Sequence, residues 1–308
     1  MGDSASSQVV VESGLEYKEV ATKGMLAYRA PSLQQPHKAR QALRDAHEGK
    51  IPPLIGFYLA LPTVPIARMA AQLGADFIWV DWEHSPCGVE TMTNVVHSIQ
   101  EVSEGRTMAF VRVPGHDHAN IGFALDAGAS VVVPQVDTVE QAEHVAAATK
   151  FGKAYKGSRS APPARWLPGL SANTIDPSLS IWESVNKQAA LIIQIESEVG
   201  VNNLDAMLAS VGDNIDAVWI GTLDLRVSLG FDGMWGEEPE FLAVIKRYED
   251  TLRKYDKPNS GGCFNKNWPL MANKSFIPVC GDWLGILSQR ELIVNARENL
   301  PAAGKRSC

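Results

Sequence analysis

IGFYLALPTVPIARMAAQLGADFIWVDWE, residues 55–83, decides how the rest of the chain is read. IGFYLAL (Ile55–Leu61) is a short run of aliphatic and aromatic residues, as a buried strand requires. TVPIARMAAQLG then spaces its apolar residues as an amphipathic helix does, and DFIWVDWE (Asp76–Glu83) returns to strand character. The same alternation continues downstream. VETMTNVVHSIQEV follows as a helix, and TMAFVRVPG (Thr107–Gly115) leads into HANIGFALDAGA. SVVVPQV (Ser130–Val136) leads into DTVEQAEHVAAATKFG, and ALIIQIES (Ala190–Ser197) into NNLDAMLASVG. IDAVWIGTLDL (Ile215–Leu225) precedes the long EEPEFLAVIKRYEDTLRKYDK, and GGCF (Gly261–Phe264) and FIPVCGDWLGI (Phe276–Ile286) are two weaker strands. About eight β/α units without a break in composition predict a (β/α)₈ barrel, an α/β TIM barrel. A doubly wound sheet has fewer strands and a Gly-rich first turn, whereas LPTVPI contains no glycine.

The chain has 308 residues, a length that suits one large barrel as well as two average domains. The pattern favours one barrel over residues 37–308, preceded by an arm, residues 1–36, rich in Ser, Gln, Pro and Glu. A net charge of −7 argues against nucleic acid or an anionic membrane as partner, because polyanions are held by basic patches that release counterions. No apolar run approaches the length of a membrane span, and the start has no signal-peptide pattern, so a cytoplasmic location is expected. Cys87, Cys263, Cys280 and Cys308 are far apart and form no CxxC pair, which removes a disulfide framework and a zinc site. The segment from Gly152 to about Ser180 reads as a long loop after the fourth strand, at the end of the barrel where chemistry occurs.

In such a barrel, catalytic groups sit at the C-terminal ends of the strands. There DWEHSPCG (Asp81–Gly88) ends the second strand with two carboxylates and a histidine, Arg112 ends the third, Gln194 and Glu196 end the fifth, and Asp224 follows the sixth. Any single charged strand end is most simply a solvated turn. Recurrence across strands, after runs apolar enough to be buried, implies one convergent polar site. Glu196 and Asp224, without a Cys or His cluster nearby, suit a hard divalent ion such as Mg²⁺ or Mn²⁺. Such an ion leaves positions for the carboxylate and carbonyl of a 2-oxo acid, whose enolate it stabilises as a Lewis acid. Arg112 can hold the oxygen on which charge develops, and His84 can move protons. His116 and His118 resemble an HxH metal pair, but a helix-entry loop with Asp117 or Asn120 as cap explains them equally well.

DWEHSP, VRVP, ALDAGA, VVVPQVDTVEQA, IQIES and IGTLDLRVSLGF occur in this order between Ile55 and Leu287, and together they resemble the HpcH/HpaI aldolase family, the metal-dependent class II pyruvate aldolases. The combination is also similar to a fungal, macrophomate-synthase-like branch that forms carbon–carbon bonds after decarboxylating oxaloacetate. The resemblance implies a lyase that cleaves 4-hydroxy-2-oxo acids or decarboxylates oxaloacetate with Mg²⁺, or Mn²⁺ or Co²⁺ in its place. It implies Glu196 and Asp224 as metal ligands, and Gln194 with the amides near Leu223 and Asp224 as holders of the pyruvate moiety. Arg112 becomes the enolate stabiliser, His84 the acid–base residue, Asp126 its partner, and Asp81 and Glu83 the residues that order metal-bound water. A hexamer, built as a trimer of dimers that exchange C-terminal helices, is implied as well. GTLDLR (Gly221–Arg226) departs from the family's usual Gly-Pro-Ala-Asp-Leu-Ser, so Arg226 is expected to add a charge near the substrate carboxylate. A non-catalytic barrel kept for binding or assembly is the competing reading. Retention of the whole polar set argues against it, since apolar residues could replace buried charges without loss of stability.

Overall fold

A computed structural model describes residues 23–30, 35–162, 178–264 and 268–300. Its strands are β1 (Leu54–Leu59), β2 (Phe77–Asp81), β3 (Met108–Arg112), β4 (Ser130–Val133), β5 (Leu191–Ile195), β6 (Ala217–Ile220), β7 (Asn259–Ser260) and β8 (Phe276–Gly281). Each pairs in parallel with its neighbour in chain order, and β8 pairs with β1, so the sheet closes into the expected barrel. Parallel neighbours need crossovers, which helices supply. α1 (Ala39–His47) precedes β1; α2 (Val64–Ala70), α3 (Val89–Val102), α4 (His118–Asp126) and α5 (Val139–Ala148) follow β1 to β4 in turn. α6 (Ile181–Asn186) lies ahead of β5, α7 (Glu198–Val211) follows it, α8 (Thr222–Ser228) and α9 (Pro239–Lys254) follow β6, and α10 (Asp282–Asn299) ends the described chain.

The period-2 alternation of a strand divides the core in two. One parity, including Ile78, Val80, Val111, Ile193 and Ile195, packs against the helices with Val95, Leu125, Val145 and Leu204. The other parity fills the barrel with rings, Phe77, Trp79, Phe110, Trp219 and Phe276. The Phe77 and Phe276 centroids are 3.6 Å apart. Gly56 makes room for them, since a Cβ there would stand 2.1 Å from Phe77 Cζ.

The structure differs from the sequence reading in three places. Part of the presumed arm belongs to the core: Met25 and Tyr28 are 1% and 0% exposed, join α1 beneath the barrel, and Tyr28 Oη donates to Asp45 at 2.8 Å. The polar bias of residues 1–36 hid the single apolar turn GMLAY; residues 1–22 and 31–34 lie outside the described residues. β7 lies just before the expected GGCF, although Gly261 and Cys263 still donate backbone bonds to β8, at 3.3 and 2.9 Å. The segment after Gly152 follows α5 and not β4 directly, so its described parts lie at the N-terminal end of the strands, away from the strand ends that carry charge. Residues 163–177 of that loop lie outside the described residues.

Candidate active site

The inward parity that fills the barrel continues upward into polar residues. Phe77 and Trp79 are followed by Asp81, Phe110 by Arg112, and Ile192 by Gln194 and then Glu196. Register places Asp81 directly beside Arg112. Arg112 Nε donates to Asp81 Oδ1 at 3.0 Å and Nη2 to Oδ2 at 2.8 Å, a bidentate pair that is nearly buried. Arg112 Nη2 also donates to Tyr58 Oη at 2.6 Å, and Tyr58 Oη donates to Asp81 Oδ2 at 2.7 Å. Burial works to raise the Asp81 carboxyl, but the Arg112 hydrogen bonds and charge outweigh it and hold it below its usual range. Burial likewise opposes the Arg112 charge, and the bonds to Asp81 more than offset it. The pair is therefore a fixed, fully ionised unit.

Glu196 has a different environment. It is 5% exposed; its Oε2 accepts from the Gln135 amide and its Oε1 from Gln194 Nε2, both at 3.0 Å. Gln135 adopts φ 50°, a left-handed conformation costly for a non-glycine residue, in the loop that delivers this amide. Burial, then the charge of Asp224, raise the Glu196 carboxyl to about 7. Gly221 lets it lie against the backbone, since a Cβ there would stand 2.2 Å from Oε1. Asp224, exposed in the first turn of α8, lines the same cavity of about 380 Å³ with Asp81, Arg112, Gln194 and Glu196.

The donor set fits a hard cation. All its ligating atoms are oxygens, and the buried Gln194 Oε1 has no hydrogen-bond partner. A desolvated carboxylate raised by a second one is relieved by a divalent ion. Among the described residues, however, no group of three or more His, Cys, Asp or Glu side chains could hold an ion. Glu196 and Asp224 supply at most part of a shell, as suits Mg²⁺ or Mn²⁺, which keep positions for water and substrate oxygens.

The remaining expected residues fall in different places. His84 lines the cavity with a side chain 66% exposed, its Nε2 3.6 Å from Glu83 Oε2, while that same oxygen is 3.3 Å from Arg112 Nε. Burial raises the Glu83 carboxyl. Leu223 is on the cavity rim, 45% exposed. Asp126 does not meet His84 within this chain. It ends α4, which runs back to the opposite end of the barrel, and there Arg159 Nη2 donates to its Oδ1 at 2.9 Å. Arg226 turns away from the site: Nη1 and Nη2 bond Glu238 at 2.6 and 2.9 Å, and Nε and Nη2 bond the Asp232 carbonyl at 3.2 and 2.8 Å. Cys87 is no activated thiol, since burial pushes its pKa up. His116 Nε2 bonds the Pro134 carbonyl at 2.7 Å, and Asp117 caps α4, as the helix-entry reading requires.

The sequence reading missed Tyr58, Trp79, Trp283 and Lys274, all of which line the cavity. Parity on β1 and β2 would have found the first two, because Tyr58 and Trp79 stand in register on neighbouring strands. Lys274 carried no signal. It precedes β8, is 7% exposed, and donates to Asn259 Oδ1 and the Ser260 carbonyl, each at 3.2 Å; burial lowers its pKa to about 8.

Comparison with known proteins adds a family. The profile of the family HpcH/HpaI aldolase/citrate lyase matches residues 54–254. A 2-keto-3-deoxy-L-rhamnonate aldolase of Salmonella typhi is 34% identical over 246 residues, covering 79% of this chain and 83% of that protein. Its counterpart in Salmonella gallinarum is 34% identical over 224 residues, 71% of this chain and 77% of the relative. The crystal structure of macrophomate synthase superposes with a TM-score of 0.78 at 29% identity, over 89% of this chain and 95% of that one.

Proposed function

The chain belongs to the HpcH/HpaI aldolase/citrate lyase family and is a carbon–carbon lyase of the class II pyruvate-aldolase type, and from that premise we propose how its rim residues divide the work. The reaction is retro-aldol cleavage of a 4-hydroxy-2-oxo acid, or decarboxylation of oxaloacetate, through a shared pyruvate enolate. The observation that carries this reading is the desolvated Glu196 beside Asp224, in one cavity with an Arg112 already fixed by other groups.

Glu196 and Asp224 hold a divalent ion, Mg²⁺ or in its place Mn²⁺ or Co²⁺, with Gln194 beside them. When bound, the ion supplies Lewis-acid polarisation of the substrate's carbonyl and carboxylate. The first amides of α8, at Leu223 and Asp224, lack intrahelical partners and bind the carboxylate. Arg112 stabilises the enolate oxygen. Asp81 and Tyr58 occupy its Nε and Nη2, which fixes the guanidinium plane before substrate arrives. Asp81 is therefore a positioning residue, its two oxygens engaged by Arg112 and Tyr58. His84 moves the proton at the C4 oxygen, with Glu83 alongside. A His84–Asp126 pair can form only between two copies of the chain, because one chain separates them by the height of the barrel. A homo-oligomer, a hexamer as a trimer of dimers, is supported by the apolar residues exposed on α10. A bond-forming decarboxylase resembling macrophomate synthase is the second reading, favoured by that structural likeness, and it uses the same enolate.

The test is pyruvate release from oxaloacetate. We expect release that stops with EDTA, returns with Mg²⁺, and is abolished in folded Glu196→Gln and Asp224→Asn. Full activity in both variants would remove the metal assignment.

A further inference from the structure

We propose that the outer wall of the cavity selects an apolar, ring-bearing partner for the enolate, so that the carbonyl compound released in cleavage or captured in addition carries an aromatic group and not a chain of hydroxyls. This rests on the enolate reading above and names the class of the second substrate.

The charges of the cavity lie on its floor, at the ends of β2, β3 and β5 and the start of α8. Beyond them, apart from the exposed His84 imidazole, the wall is built of Leu223, Met234, Trp235, Phe264 and Trp283. Rings run continuously from floor to rim. Trp79 and Tyr58 stack with centroids 6.0 Å apart, Tyr58 meets Phe264 edge-on at 6.2 Å, and Phe264 meets Trp283 edge-on at 5.7 Å. These spacings are those of interacting aromatic pairs, so a planar ligand extends an existing series.

Met234 and Trp235 are each 39% exposed and Leu223 45%, a concentration of bare apolar surface at the mouth of a site. The backbone accommodates the rings. A Cβ on Gly262 would stand 2.6 Å from Phe264 Cε2, and one on Gly281 3.0 Å from Trp283 Nε1. The loop bearing Met234 and Trp235 is fastened by Arg226, through Asp232 and Gly233 on one side and Glu238 on the other. The wall is thus preformed.

It also has little to offer a polyol. Tyr58 Oη is committed to Asp81 and Arg112, Thr222 is 7% exposed, and Lys274 already donates to Asn259 and Ser260. Beyond the one oxygen that His84 serves, hydroxyls placed against the wall surrender water for few partners, whereas a ring loses nothing on leaving water.

Two measurements on the full-length Mg²⁺ protein test this. In saturation-transfer NMR, benzaldehyde gives a signal and glyceraldehyde does not, and the benzaldehyde signal falls in Trp235→Ala and in Trp283→Leu. Trp182→Ala, at the far end of the barrel, leaves it in place. In aldol addition with pyruvate, benzaldehyde exceeds glyceraldehyde in kcat/KM, and Trp235→Ala raises the KM for benzaldehyde by about 10-fold, the scale of a lost apolar contact. Glyceraldehyde used as well as benzaldehyde, or a benzaldehyde signal indifferent to both wall variants, overturns the proposal. A wild-type protein that neither decarboxylates oxaloacetate nor adds pyruvate to either aldehyde overturns the enolate reading instead, while the NMR arm still reports on the wall.

Discussion

Arg112 and His84 line one cavity but are held in opposite ways, and that contrast makes a residue-level test. Arg112 is buried and bound on two edges; His84 is mostly exposed beside one carboxylate. Arg112→Lys keeps the charge and loses the forked geometry that Asp81 and Tyr58 define, so it should slow aldol cleavage and oxaloacetate decarboxylation alike, by about 10²-fold, as loss of a preorganised donor does. His84→Ala should slow cleavage by a similar ~10²-fold and decarboxylation far less, because departing CO₂ needs no proton at the broken bond. Equal losses in His84→Ala, read by pyruvate formation from both substrates, would assign the imidazole to positioning. The polar floor was legible in the sequence because strand alternation is strict: once Trp79 faces inward, so does Asp81. The pairing of Asp81 was not, since nothing in DWEHSP says that both its oxygens meet an arginine on the next strand.

Elements, rather than single residues, decide where Arg226 and Lys150 act. GTLDLR placed Arg226 near the site along the chain, but α8 turns it toward Glu238, a partner that reaches back from beyond the intervening loop. Arg226→Met removes the donors at similar length, and residues 229–238 should then exchange backbone amide protons faster while the barrel strands remain protected. Uniform protection across that loop would show the fastening to be dispensable. Lys150, just after α5, is 0% exposed, with Nζ held by the carbonyls of Asn186 and Ala189 at 3.2 and 3.5 Å. Burial lowers its pKa from 10.5 to about 7. Between those values the unfolded chain holds a proton that the folded chain lacks, so this group makes stability rise with pH across the window. Lys150→Met should therefore melt above the wild type by the largest margin near about pH 7, and the margin should shrink toward about pH 10. Parallel melting curves would exclude the assignment. No strand or helix pattern could have announced either residue, because each depends on what packs over it.

For the whole molecule, the β/α rhythm was enough to give the barrel, its single-domain organisation and the direction of every strand, because a closed parallel sheet leaves few other ways to join such units. What escaped was closure at the lower end. The turn GMLAY seals the lower end, and α10 leaves the barrel with Ile286, Leu287, Leu292 and Ile293 each more than half exposed, at 58, 57, 65 and 53%. Such a face asks for a partner. Replacing both Leu292 and Ile293 with Glu should lower the mass of the particle measured by light scattering. An unchanged mass would mean that α10 does not hold copies together.

One tie at the upper end bears on how the protein is made. β8 pairs with β1, and Asp282 then accepts from the Ala60 and Leu61 amides at 2.9 and 2.8 Å. The first strand therefore waits for residues 276–281 to leave the ribosome before its outer edge is paired. Until then both margins of a growing parallel sheet are unpaired, and each can recruit a strand from another nascent chain. A message cut short before residue 276 lacks β8 altogether and leaves the sheet open at both margins, a species exposed to aggregation and not a smaller barrel.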